Sequence, residues 1–316
     1  MKHVALPVLL GCVILSVGCT ERGDLNEPSG FQIDPRLFSG TDAFAEVEDF
    51  VDLGPRVSGT EGAAEAAEYL AERFKDLGLE VEIDAFDDPS PRGPVTFRNV
   101  MAQISGSGSG IILIGSHYDT KHGISDDFIG ANDSGSSTGI QLALARIAAG
   151  VAAQAPPPKT LLFVAFDGEE CYRRYGHEDG FHGSRHLAEE WESSGVLEEV
   201  EAVVVIDMVG DSDLNVTIPR NGDYNLMRLA FQCASSLGCR EHFELVDSNI
   251  GDDHVAFLER GVPAIDLIDF KFGSAPGLND YWHTTEDTMD KLSPESLEII
   301  GRILACMING LMQTGI

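Results

Sequence analysis

The chain has 316 residues, 43% hydrophobic and 23% charged, enough apolar matter for a sizeable core in one large domain or two average ones. Acidic residues outnumber basic ones 52 to 21, a net charge of −31, which argues against nucleic acid or anionic membrane surfaces as partners. A cationic ligand such as a peptide N-terminus suits that balance, although six lysines against fifteen arginines on an acidic surface read first as a solubility device.

The chain opens MKHVALPVLLGCVILSVGC: a basic start, an apolar stretch from Val4 to Gly18, then Cys19. That pattern predicts a signal peptide over 1–18, too short for a comfortable membrane span. Gly18 before Cys19 matches a bacterial lipoprotein cleavage site, with Cys19 as the lipidated first residue and the anchor to a membrane. Ser16 stands where such sites prefer Leu, and ordinary secretion is the alternative. Either way the protein is expected to be exported, as a cell-envelope lipoprotein or else as a periplasmic or secreted protein. Residues 19–34 then read as an exported linker and 35–316 as one catalytic domain.

Periodicity predicts a helix over 62–77, strands over 80–86 and 98–104, a SGSGSG turn, and a strand over 111–115. A helix over 136–149 follows, then a strand over 161–166, a helix over 184–192 and a strand over 202–207. The remaining expectations are a helix over 224–236, a short helix over 253–260, a strand over 264–268 and a helix over 294–313. Buried strands alternating with amphipathic helices indicate an α/β fold, a single-domain three-layer α/β/α sandwich around a mixed, mainly parallel sheet. The first two strands, closely connected, are expected to be an antiparallel edge pair. Cys171, Cys233, Cys239 and Cys306 remain beyond Cys19. Export permits disulfides, but no CxxC or Cys/His cluster is present, and free buried thiols are the expectation.

Polar residues gather where apolar strands stop. IILIG runs into His117 and Asp119, LLFVAF into Asp167, Glu169 and Glu170, and AVVVI into Asp207. GANDSGSSTG adds Asp133, GDDH adds Asp252, Asp253 and His254, and YWHTTED adds His283. Singly, each has a plainer reading. Asp133, Asp252 and Asp253 could be helix caps, His254 a helix residue, and His283 a surface loop residue. His177, His182 and His186 read as flexible loop histidines. As a group, carboxylates at the ends of parallel neighbouring strands would converge on one rim, where ligands bind in such sheets. They would repel unless they shared a cation. Imidazole and carboxylate without thiolate point to zinc, with manganese or cobalt behind it, and three protein ligands leave an open catalytic position. Of two adjacent glutamates, one can bind metal and its neighbour can move protons. Gly135–Gly139 carries the letters of a serine-hydrolase elbow but lacks the preceding strand, and HExxH is absent.

SHYDT, GANDSGSSTG, FDGEE, VIDMVGD, GDDHVAFLERGVPAIDLI and YWHTTEDTMDKL fall in the order of the zinc aminopeptidase and glutaminyl cyclase superfamily, which the chain resembles over roughly 45–316. In detail it resembles the glutaminyl-peptide cyclotransferases, through GSRHLA, Asp252 in GDDH, and Trp282 directly before His283; Tyr175 stands where the animal enzymes have Trp. The resemblance implies Asp133, Glu170 and His283 as zinc ligands and Glu169 as proton carrier, with Asp207 and Asp252 as its hydrogen-bond partners. Asp119 would stand behind the ligands, and Trp282, Tyr175 and Phe272 would wall the pocket. It implies peptide or protein N-termini as substrates and one zinc per chain for a cyclotransferase. The alternative is a dizinc aminopeptidase with His117 and Asp207 holding the second metal, and both residues are present.

Overall fold

A computed structural model of the protein describes residues 30–176 and 178–313; the expected signal peptide, Cys19 and His177 lie outside the described residues. The strands are β1 (Glu80–Ser90), β2 (Gly93–Ile104), β3 (Ile111–His117), β4 (Thr160–Phe166), β5 (Val200–Asp207), β6 (Val216–Pro219), β7 (Phe243–Val246) and β8 (Ala264–Ile268). The α-helices are α1 (Gly40–Val51), α2 (Glu61–Asp76), α3 (Ser137–Ala152), α4 (His182–Ser194), α5 (Tyr224–Leu237), α6 (His254–Leu258) and α7 (Pro294–Gln313). β1, β2, β4, β3, β5 and β8 form one sheet in that spatial order. β1 pairs antiparallel with β2 and β2 with β4, whereas β3 runs parallel to both β4 and β5, and β5 parallel to β8.

Successive side chains of a strand point to opposite faces, so a strand covered on both sides must be apolar throughout. On β4, Leu161, Phe163 and Ala165 join the core beneath α1, α2, α3, α5 and α7, while Leu162, Val164 and Phe166 pack under α4 and α6. β3 and β5 divide in the same way: Ile112, Ile114, Ala202 and Val204 on the first face, Leu113, Val203 and Val205 on the second. The result is the three-layer α/β/α sandwich with a mixed, mainly parallel sheet.

Four features differ from expectation. α1 was not expected, although Ser39 caps it by accepting from the Asp42 N–H. Ala43, Val47, Phe50 and Val51 also carry the i, i+4, i+7, i+8 spacing of a buried stripe. β6 and β7, four residues each, pair in a separate two-stranded sheet too short to leave a periodic signal. Cys233 on α5 and Cys306 on α7 are joined in a disulfide, with Cα atoms 5.8 Å apart, correcting the expectation of free thiols; Cys171 and Cys239 are free and buried. Helix packing makes that bond by bringing together positions 73 residues apart, which no sequence spacing announces. Closing so long a loop restricts the unfolded chain by about 4 kcal/mol. The double replacement Cys233→Ala, Cys306→Ala is therefore expected to lower Tm by roughly 10 °C. Thermal melting checks this, and an unchanged Tm would mean that the two thiols are not joined.

His182 and His186 lie on α4 rather than in a loop. His182 is buried, its ring stacked 4.2 Å from Phe97 and its Nδ1 2.6 Å from Asp88 Oδ2.

Candidate metal centre and active site

Parallel pairing of β4, β3 and β5 delivers their carboxyl ends to one rim, His117 lying level with Phe166. Beyond Phe166 the chain must turn sharply. Gly168 does this at φ +75°, where a Cβ would stand 2.5 Å from the Phe97 ring. The turn presents the N–H groups of Glu169 and Glu170 to the buried Asp119, whose Oδ1 and Oδ2 accept them at 3.1 and 3.2 Å. Asp119 thus fixes the double glutamate from behind, and its backbone carbonyl meets His117 Nδ1 at 3.2 Å. Asp167 is spent on structure: it accepts from Ser58 Oγ at 2.7 Å and from the Arg98 N–H at 2.9 Å. Burial, then the charge of Asp119, pushes its carboxyl up to about 7.

Asp133 does not cap α3. Its two carboxylate oxygens turn to two histidines, Oδ1 3.0 Å from His117 Nε2 and Oδ2 3.4 Å from His283 Nε2. His117 Nε2 also lies 3.2 Å from Asp207 Oδ1, and His283 Nε2 lies 2.9 Å from Glu170 Oε1. Two ligand sets result, His117–Asp133–Asp207 and Asp133–Glu170–His283, each offering donor atoms within 4.8 Å of one another and sharing Asp133. His283 holds the left-handed φ of 54°, unusual for a residue with a Cβ, and stacks 4.0 Å from Trp282.

The electrostatics match a cation site. Burial lowers the pKa of both histidines, but the carboxylates around them outweigh it, lifting His117 well above its ordinary range and His283 to about 9. Burial by itself would raise Asp133, yet hydrogen bonds from the two imidazoles hold it far below the usual carboxylate range. Positive charge is thus what these atoms demand, and a divalent ion bound to the same donors provides it. Asp133 Oδ2, buried and met among the described residues only by the long 3.4 Å contact from His283, is the kind of atom a metal satisfies. Imidazole and carboxylate without thiolate fit zinc.

The two glutamates have different surroundings. Glu170 is fully engaged: Oε2 accepts from Lys121 Nζ at 3.1 Å and Tyr175 Oη at 2.7 Å, while Oε1 faces His283. Among the described residues the Glu169 side chain has only a long hydrogen bond, from Tyr175 Oη to its Oε2 at 3.4 Å. Burial, then the charge of Glu170, pushes its carboxyl well above the ordinary range. Asp207 and Asp252 are not its hydrogen-bond partners, as the resemblance implied. Asp207 lies at the end of β5, beside β3, where His117 takes it. Asp252 Oδ1 accepts from the Asp253 N–H, and its carboxyl also shares a hydrogen bond with that of the buried Asp266. Asp252 acts on Glu169 through charge, which helps to raise it. His254, in contrast, is a helix residue held neutral, its pKa lowered by burial to about 3.

Above this rim opens a pocket of about 460 Å³, lined by Asp133, Glu169, Asp207 and Asp252 among others. Tyr175 and Trp282 line it, whereas Phe272 does not. Phe272 is fully buried beneath, packed with Met208 and Ile268, and Phe270 lines the pocket in its place. The cause is the turn at 270–271 directly after β8, which ends strand alternation before Phe272.

Two residues that hold the site were not expected. Asp287 accepts the N–H groups of both Asn132 (2.7 Å) and Asp133 (3.1 Å), tying the His283 segment to the Asp133 loop; its only sequence signal is its place four residues after His283. Arg56 is wholly buried and donates to the carbonyls of Tyr118, Ile129 and Gly130. A single arginine in LGPRVSG carries no such signal.

The model of peptidase family M28 matches residues 99–308. A glutaminyl-peptide cyclotransferase of Drosophila melanogaster is 29% identical over 281 residues, covering 80% of this chain and 77% of its own. A glutaminyl-peptide cyclotransferase-like protein of Bos taurus is 30% identical, covering 80% of this chain and 71% of its own. Among solved structures, an Acidobacteriales bacterium glutaminyl cyclase superposes with a TM-score of 0.82 at 32% identity, covering 92% of this chain and 97% of that one. A Zn-dependent exopeptidase of Parabacteroides distasonis also superposes, with a TM-score of 0.72 at 25% identity, covering 86% of this chain and 98% of that one. The chain belongs to peptidase family M28, and glutaminyl cyclases are among the relatives it resembles within that fold.

Proposed function

We propose that this protein is a zinc-dependent glutaminyl-peptide cyclotransferase, converting an N-terminal glutamine to pyroglutamate with release of ammonia. The observation that carries this reading is the unequal engagement of the two glutamates. Glu170 is committed to His283, Lys121 and Tyr175, whereas Glu169 faces the pocket with a raised pKa and one long contact. The names of the similar proteins supply the reaction class.

In this reading Asp133, Glu170 and His283 hold the ion, which when bound supplies Lewis-acid polarisation of a carbonyl. The acidic rim attracts the ammonium of a peptide N-terminus. Glu169 takes a proton from that α-amine, whose nitrogen forms a bond to Cδ, the side-chain amide carbon of the glutamine. The Cδ–Nε2 bond of that amide breaks, and Glu169 returns the proton to the departing ammonia. A carboxyl with a raised pKa suits such exchange near neutral pH. Because ring closure is intramolecular, orienting the side chain between Trp282, Tyr175 and Phe270 contributes much of the acceleration.

A second reading rests on the intact His117–Asp133–Asp207 set, which is what a dizinc aminopeptidase needs. Paired assays on a glutaminyl and a leucyl peptide, with zinc counted per chain, separate the two. Ammonia release from the glutaminyl peptide without leucine release is the expected outcome; leucine release with two zinc ions per chain would overturn it.

A further inference from the structure

Away from the pocket, α4 and the edge strand β1 face one another with matched periods. Asp84, Phe86 and Asp88 share one face of β1, and His182, His186 and Glu190 recur every fourth residue on α4. His182 pairs with Asp88 and is buried. One turn along, His186 Nε2 lies 3.4 Å from Asp84 Oδ2 and 3.8 Å from Glu190 Oε2, and the three donor atoms lie within 4.8 Å of one another.

We propose that Asp84, His186 and Glu190 form a second, non-catalytic site for a divalent transition metal, zinc foremost. Three observations carry it. Tetrahedral zinc with bonds of 2.0–2.2 Å sets its ligand atoms about 3.3–3.5 Å apart, close to the separations found. Two carboxylates converge on the same ring nitrogen, and one N–H can serve only one of them; even a protonated imidazole would leave net negative charge, whereas a divalent ion balances both. Two of the three donors, on His186 and Asp84, are also held in place. The His186 ring lies flat on Phe86, 3.7 Å away with an interplanar angle of 6°, and Asp84 Oδ2 receives the Asn99 side-chain amide at 3.4 Å. Such locking of ligand orientation by neighbours is what metal sites require.

None of the three residues lines the catalytic pocket. A metal here would clamp the edge strand to α4, the helix entered directly from the loop that carries Glu169, Glu170 and Tyr175. The site needs nothing from the proposed reaction and stands or falls without it.

The test is zinc content and thermal melting of the full chain, stripped with chelator and reloaded with zinc. His186→Ala is expected to bind one zinc ion fewer per chain than the wild type. In an Asp133→Ala background, which removes the residue common to both pocket sets, added zinc is expected still to raise Tm by several degrees. Adding His186→Ala to that background is expected to abolish the rise. Glu190→Gln, an exposed change on the helix surface, serves as the second variant if His186→Ala folds poorly. Equal zinc content in wild type and both variants, or an equal loss of Tm with and without zinc, would reduce the cluster to an ion pair and overturn the site.

Discussion

Glu169→Gln is expected to lower kcat on glutaminyl peptides by roughly 10²- to 10⁴-fold while zinc per chain stays the same. The amide keeps the shape of the carboxyl but cannot take a proton from the substrate amine. Among the described residues Glu169 has no hydrogen bond or ion pair to His117, Asp133 or His283; its N–H donates to Asp119, its carbonyl accepts from the Phe181 N–H, and its carboxyl meets Tyr175. Steady-state kinetics beside elemental analysis reads both quantities. Loss of zinc in this variant would mean that Glu169, not Glu170, is the ligand and that the two roles are exchanged. Retained activity would remove Glu169 from the reaction altogether.

Asp133→Ala is expected to release every zinc ion held at the pocket and to reduce activity to background. Its two oxygens address two different histidines, so one truncation takes a donor from both ligand sets. The loss leaves His117 and His283 among Asp207 and Glu170, and because their attraction to Asp133 disappears, the proton affinity of both rings falls. His117→Ala, by comparison, removes a donor from only one set, and the zinc remaining in that variant counts the occupancy of the Asp133–Glu170–His283 set. Zinc analysis after dialysis checks this, with any metal at the α4 cluster subtracted through the His186→Ala control. Undiminished zinc in Asp133→Ala would show that the pocket is not the metal centre.

Much of this site was legible in the linear sequence because strand ends are informative. A strand buried on both faces has no place for charge until it leaves the sheet. The first acids and histidines after IILIG, LLFVAF and AVVVI therefore mark the rim, and parallel pairing puts them side by side. Asp133 and His283 were harder to read, since a helix cap and a loop histidine account equally well for each alone. Only the ordered set of motifs separated those readings. Asp287 and Arg56 act through backbone groups of distant loops, and such partners leave no mark in local spacing.

The sequence by itself determined the layers, the strand order's chemical polarity and the ring of acids at the carboxyl ends. These follow from periods of 2 and 3.6 residues, which are properties of a single element. Tertiary structure alone decided the pairings between elements. It placed Asp207 on His117 rather than on Glu169, Phe270 rather than Phe272 in the pocket, Cys233 on Cys306, and His186 opposite Asp84. The physical reason is one of range. Which face a residue occupies is set by its own strand or helix, but which atom it meets is set by register and packing against segments tens to hundreds of residues away.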